Sequence, residues 1–336
     1  MSSTLYNAMD ALKHKMMTER GLAESSAQAY IRHLVDMNDG PFRTLSFLHD
    51  VKAVVEKLAE KSLSVRRTHY AAAHAALSTQ KSPKAVSLTA RYKTLLTDNG
   101  TAIAAAAPAE GEMTEKEKAK WMNWPDIIKR RNELAKSINA YSKWSEVVPY
   151  LLLCLYTKIE PRRNKDWMKM KLAKYKGDMD LTKADNNYNY YDMPKKRFIF
   201  NNYKTAKRYG QQIIAVPESL DNDIMLALAS HPYGLDFLKS DADVAMLTLL
   251  VGSDGKEVSD GFILKALKAA LGKPIGSSML RHIYLSDKYG ATVGAVLKET
   301  TASAKAMGHS ITEQRRYLRT AAAAAAGAGS DNITHE

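Results

Sequence analysis

Arg163, Lys204, Arg281-His282, His309 and Tyr317 follow one another across nearly half of the chain. A phenol can attack phosphorus. Guanidinium groups can hold the oxygens on which charge then grows, and an ammonium or imidazole can move the protons. A phosphodiester is the substrate such a set suits. Tyr317 closes the series, about two helical turns beyond Ser310. Ser310 and Glu313 form a capping-box pattern, so a helix is expected to begin there and carry Arg315, Arg316 and Tyr317.

The earlier members sit in distinct local settings. Arg162 and Arg163 follow Pro161, and the proline marks a helix start. Asp166 lies one turn beyond Arg163 and is placed to hold it. A guanidinium grips two phosphate oxygens at once, which an ammonium cannot. Lys204 falls in Tyr203-Lys204-Thr205, at the bend between two strand-like segments. From Met193 to Pro217 there are six basic residues and no acidic one. Lys195, Lys196, Lys207 and Arg208 are the candidates there for contacts to a nucleic-acid backbone. Leu280-Arg281-His282 follows Ser277-Ser278, and either histidine can orient a phosphate or accept a proton.

The composition favours the same kind of partner. Lys and Arg number 49 against 36 Asp and Glu, a net charge of +13 in 336 residues. Such an excess suits a polyanion, most often nucleic acid. The single cysteine, Cys154, lies in an apolar run and excludes a disulfide within the chain. A reducing, intracellular compartment fits. No apolar run reaches the roughly 18–20 residues that span a bilayer, and the N-terminal residues Asp10, Lys13 and His14 do not read as a secretory signal. Histidines and cysteine show no zinc spacing, carboxylates do not cluster as two-metal sites require, and there is no P-loop. No cofactor is therefore expected.

The elements that must position these groups read as α+β, mainly helical with a small antiparallel sheet. Residues 1–105 read as a helical domain. Ser25 with Gln28 suggests a capping box, and Val51, Val54, Val55 and Leu58, then Tyr70, Ala73 and Leu77, recur at helical spacing. The composition changes over residues 98–113, and a linker is expected over 106–124. Thr114 and Glu117 make another capping box. The second domain covers 125–320. Its three short strands are expected at Tyr188–Met193, Arg197–Tyr203 and Gln212–Val216, with helix resuming from Asp221 and again to Gly272. Residues 321–336 are an Ala-rich tail.

In this order the motifs resemble those of the tyrosine recombinases, the phage-integrase family. The family's first motif commonly reads Thr-Gly-Leu-Arg-Ile-Ser-Glu-Leu, and Arg163, Asp166 and Trp167 match its Arg, acid and Leu. Tyr203-Lys204-Thr205 matches the lysine hairpin, Leu280-Arg281-His282 the second arginine box, and Met307-Gly308-His309-Ser310 the Leu-Gly-His-Ser box. The Pro-Arg-Arg variant is similar to integrases of DNA viruses and large virus-like transposons. Ser278 stands where the family usually has His or Lys, Thr157 is not followed by Gly, and His309 and Tyr317 are one residue closer than is common. Arg162 remains an alternative to Arg163.

The resemblance implies a core-binding domain in residues 1–105 and a catalytic domain in 125–320. It implies a site-specific recombinase that integrates a viral or mobile-element genome through a 3′-phosphotyrosyl intermediate. Tyr317 would be the nucleophile, Arg163 and Arg281 the phosphate clamp, Lys204 the general acid, and His282 and His309 the remaining catalytic groups. Double-stranded DNA is the implied partner, bound by a homotetramer. A type IB topoisomerase uses a similar residue set, and a non-catalytic DNA-binding protein on the same fold is the third reading.

Overall fold

The computed structural model describes residues 2–107 and 112–307. The chain divides into two compact units, Met1–Glu112 and Met113–Glu336. The first holds helices α1 (Ser2–Arg20), α2 (Glu24–Met37), α3 (Val51–Lys57), α4 (Leu63–Leu77) and α5 (Pro83–Ala105). Local chemistry sets several starts. Ser62 Oγ accepts from the Val65 amide, and Ser82 Oγ from the Ala85 amide. Pro83 occupies a first-turn position of α5 where no amide partner is lost. The helical spacing of Tyr70, Ala73 and Leu77 becomes a buried face of α4, which packs along α5 and against α2.

Two local expectations fail here. Helix α2 begins at Glu24 with Ala23 at the N-cap position, so Ser25 lies inside the first turn and caps nothing. An acidic residue at that end serves the helix dipole instead. The composition change at Asp98-Asn99-Gly100 does not break the chain, because α5 runs through it to Ala105. The Asn99 amide turns back to the Leu95 carbonyl at 3.3 Å, and the alanines that follow are strong helix formers.

The second unit opens with α6 (Glu115–Lys120), which lies within the stretch read as linker. Its capping box is made: Thr114 N donates to Glu117 Oε2 at 2.9 Å, and Glu117 N to Thr114 Oγ1 at 3.2 Å. Then come α7 (Trp124–Ser137), α8 (Trp144–Thr157) and α9 (Asn164–Met168). The run Tyr150–Tyr156 is buried on every side, as a helix apolar all round must be. Helix α8 packs against α7, α11 (Glu218–Ser230) and α13 (Asp260–Leu271), with Cys154 inside.

The sheet is larger than the sequence suggested and is mixed rather than antiparallel. Strands β1 (Met170–Tyr175), β2 (Asn189–Asp192), β3 (Arg197–Phe200), β4 (Gln212–Ala215) and β5 (Val244–Thr248) lie in the order β4-β3-β2-β1-β5. The expected three strands are β2, β3 and β4, paired antiparallel. Strand β1 joins β2 in parallel and β5 antiparallel. Lysines hid β1. Lys171 and Lys174 interrupt its apolar letters, yet their ammonium groups reach Thr248 Oγ1 at 2.8 Å and the Leu238 carbonyl at 2.7 Å. A lysine can cover apolar surface with its stem while its charge finds a partner.

The remaining helices are α10 (Ala206–Tyr209), α12 (Gly234–Lys239) and α14 (Ser277–Ala306). Gly272 ends α13 at φ +69°, a left-handed position where a side chain would be strained. That turn delivers the chain to the start of α14. Among the described residues, no helix is long and apolar enough to cross a membrane.

Candidate active site

Arg163 is the N-cap residue of the short helix α9. That helix is held by Trp167, which is fully buried with the rings of Phe198 and Phe200 edge-on at 5.3 and 5.5 Å. Full burial of so large a ring outweighs any contribution of a five-residue helix by itself. The packing of Trp167 against β3 therefore fixes where Arg163 starts.

Asp166 does not hold Arg163. Its carboxylate pairs with Arg162, Nε to Oδ2 at 2.9 Å. Arg162 also donates from NH1 to Gln212 Oε1 at 2.9 Å and lies over the Phe200 ring at 3.7 Å. Burial pushes the Asp166 carboxyl up, against the pull of Arg162 first and Arg163 second. Of the two adjacent arginines, one is committed on three sides. The other makes no side-chain hydrogen bond or ion pair among the described residues and opens to a cleft of about 250 Å³.

Arg281 lines the same cleft. It projects from the first turns of α14, where its Nε meets the Ser277 carbonyl at 3.2 Å and its NH2 meets Ser278 Oγ at 3.0 Å. Ser278 thus orients the guanidinium. Burial, then the nearby Arg163 charge, hold Arg281 below its ordinary pKa. Two like charges brought this close, neither in an ion pair among the described residues, make a place for an anion. Behind them the buried Tyr156 phenol donates to Asn164 Oδ1 at 2.8 Å, and burial pushes its pKa well up.

Lys204 lies on the loop between β3 and β4. It is exposed and without an ion pair among the described residues, and its neighbours Tyr203 and Thr205 line the cleft. The loop is closed by Tyr203, whose hydroxyl donates to the Gly210 carbonyl at 2.6 Å. Lys207 and Arg208 follow on α10, both exposed. Lys195 and Lys196 behave otherwise. Lys195 reaches Asp178 at 2.7 Å, and Lys196 reaches Asp221 at 3.0 Å. Their charge is matched inside the unit.

His282 is exposed and lines a second cleft of about 240 Å³, with Ser278 and Tyr284, that shares Pro161 and Arg281 with the first. Glu160 shares both clefts, and its carboxylate is taken up by Lys288 and Tyr284 at 2.9 and 3.2 Å, which lowers its pKa. His309 and Tyr317, with the capping box at Ser310 and the tail 321–336, lie outside the described residues.

One residue that the sequence reading passed over ties the site together. Asn189 is fully buried at the start of β2. Its amide nitrogen donates to the carbonyls of Asp166 and Asn202 at 2.8 and 3.0 Å. Its Oδ1 accepts from the amides of Asn201 and Asn202 at 2.8 and 2.7 Å. It joins α9 to the root of the Lys204 loop. An asparagine inside a tyrosine-rich strand was the available signal, because a buried carboxamide must find partners. Compared with protein-family models, with curated proteins and with solved structures, the chain matches none.

Proposed function

We propose that this chain breaks and rejoins DNA strands as a tyrosine recombinase. The observation that carries the reading is the shared cleft of Arg163 and Arg281, two guanidinium groups from distant segments with no carboxylate bound to either among the described residues. Lys204 on the adjoining loop and the motif order that ends in His309 and Tyr317 support it.

In this reading the cleft takes the scissile phosphate. Arg163 and Arg281 hold its non-bridging oxygens and gain strength as charge builds in the transition state. The Tyr317 oxygen attacks phosphorus, and the bond to the 5′-oxygen breaks. The phenol proton passes to His282 or His309, and Lys204 gives a proton to the departing 5′-oxygen. The phosphotyrosyl ester keeps the bond energy, so the reverse attack by a 5′-hydroxyl seals a strand without a nucleotide. The free cations Lys207 and Arg208 bind backbone phosphates nearby. The assembly is a homotetramer on two duplexes, and its task is integration of a viral or mobile genome.

Covalent capture tests this with no target sequence chosen in advance. The chain is incubated with a pool of nicked duplexes of random sequence, and denaturant-resistant protein–DNA product is digested. The expected result is a nucleotide-bearing peptide that contains Tyr317, lost in Tyr317→Phe. Absence of any covalent product, or attachment to another residue, overturns the proposal.

A further inference from the structure

We infer that Arg162 is a positioning residue that sets Lys204 against the phosphate cleft. The inference rests on the proposed strand-breaking function. Arg162 touches both stems of the loop that carries Lys204. Its guanidinium carbon lies 3.7 Å from the centroid of Phe200, the last residue of β3, and 5.4 Å from that of Tyr203, which immediately precedes Lys204. On the far stem its NH1 donates to Gln212 at 2.9 Å, the first residue of β4. Its Nε is bound to Asp166 on α9, the helix capped by Arg163.

One planar cation thus fastens the general acid's loop to the element that starts the phosphate clamp. It lines the same cleft as Arg163 and Arg281, but only 14% of its side chain is exposed and its guanidinium is already committed to Asp166, Gln212 and Phe200, which suits it to hold the site. A lysine cannot reproduce this. Its ammonium has no plane to stack on Phe200 and no fork to meet Asp166 and Gln212 together. The consequence is specific. Loss of Arg162 should damage the step that needs Lys204, protonation of the leaving 5′-oxygen, more than the binding of the phosphate.

The leaving group reads this out. A duplex sequence recovered by covalent capture is resynthesised with either oxygen or sulfur at the bridging 5′ position. A thiol is a far stronger acid than an alcohol, so a thiolate leaves without the proton. Arg162→Lys is expected to slow cleavage of the oxygen substrate about 10²-fold, the low end of general-acid contributions, and to cleave the sulfur substrate near the wild-type rate. Gln212→Ala cuts only the link to β4 and should show a smaller loss with the same sulfur rescue. It also carries the test if Arg162→Lys fails to fold, which a thermal melt decides. Equal slowing on both substrates, or no slowing on either, overturns the role of Arg162 while leaving the recombinase reading intact. If covalent capture with the wild-type chain recovers no duplex at all, both readings are overturned.

Discussion

Two turns of one sheet carry similar charge and do different things with it. The β2–β3 turn holds Lys195 and Lys196, and both are bound to aspartates, Asp178 and Asp221. The β3–β4 loop holds Lys204, Lys207 and Arg208, and among the described residues none is in an ion pair. In the sequence the two stretches form one continuous basic segment. The structure divides it, because the matching acids come from elsewhere in the fold. A bound ammonium has its field cancelled within a few ångströms, whereas a free one projects over a Debye length of about 10 Å. Local charge counts therefore overstate what a polyanion would meet at the first turn and describe it fairly at the second.

Substitutions can break or sharpen this contrast. The largest effect is expected at the cleft beside the free loop. Arg163→Ala or Arg281→Ala should each reduce covalent product formation by about 10²–10³, by analogy with deletion of a transition-state donor. Single-turnover trapping of the phosphotyrosyl species measures it, and a loss below tenfold at both sites would remove the clamp. Next in size is the packing beneath it. Trp167→Ala should cost about 3–5 kcal/mol of stability, read by denaturant unfolding, because a fully buried indole leaves a cavity.

Smaller effects separate the two turns directly. Lys207→Gln with Arg208→Gln should weaken DNA binding and reduce the slope of log affinity against log salt by roughly one per cation. Lys195→Gln and Lys196→Gln should leave that slope nearly unchanged in the same filter-binding titration. At Lys196 the expected change is instead in stability, about 0.2–1 kcal/mol for a partly exposed pair. A slope that falls equally for both turns would show that pairing within the unit does not govern which cations meet DNA.

The sequence exposed some of this and concealed the rest for physical reasons. Helix α8 was readable because seven consecutive apolar residues leave one outcome, burial. The capping box at Thr114 was readable because both reciprocal bonds are local. Strand β1 was not, because lysines that lie along a sheet look like solvent-facing letters. Neither was the partner of Asp166. Arg162 and Arg163 are both within helical reach of it, and the choice fell to Arg162 through Phe200 and Gln212, which arrive from another strand pair. The candidate site was visible as an order of residue types. Its cleft was not, because the two arginines meet only after the sheet and α14 are in place.

Asn189 fixes a limit on what this position can become. Its carboxamide gives two hydrogen bonds and receives two, all to main-chain atoms. Conversion to aspartate, by mutation or by slow loss of ammonia, changes a single heavy atom and almost no volume. It would nonetheless set an oxygen against two carbonyl oxygens at a fully buried position. An ageing event of that kind would loosen the lysine-bearing loop from α9 without altering any side chain in the cleft.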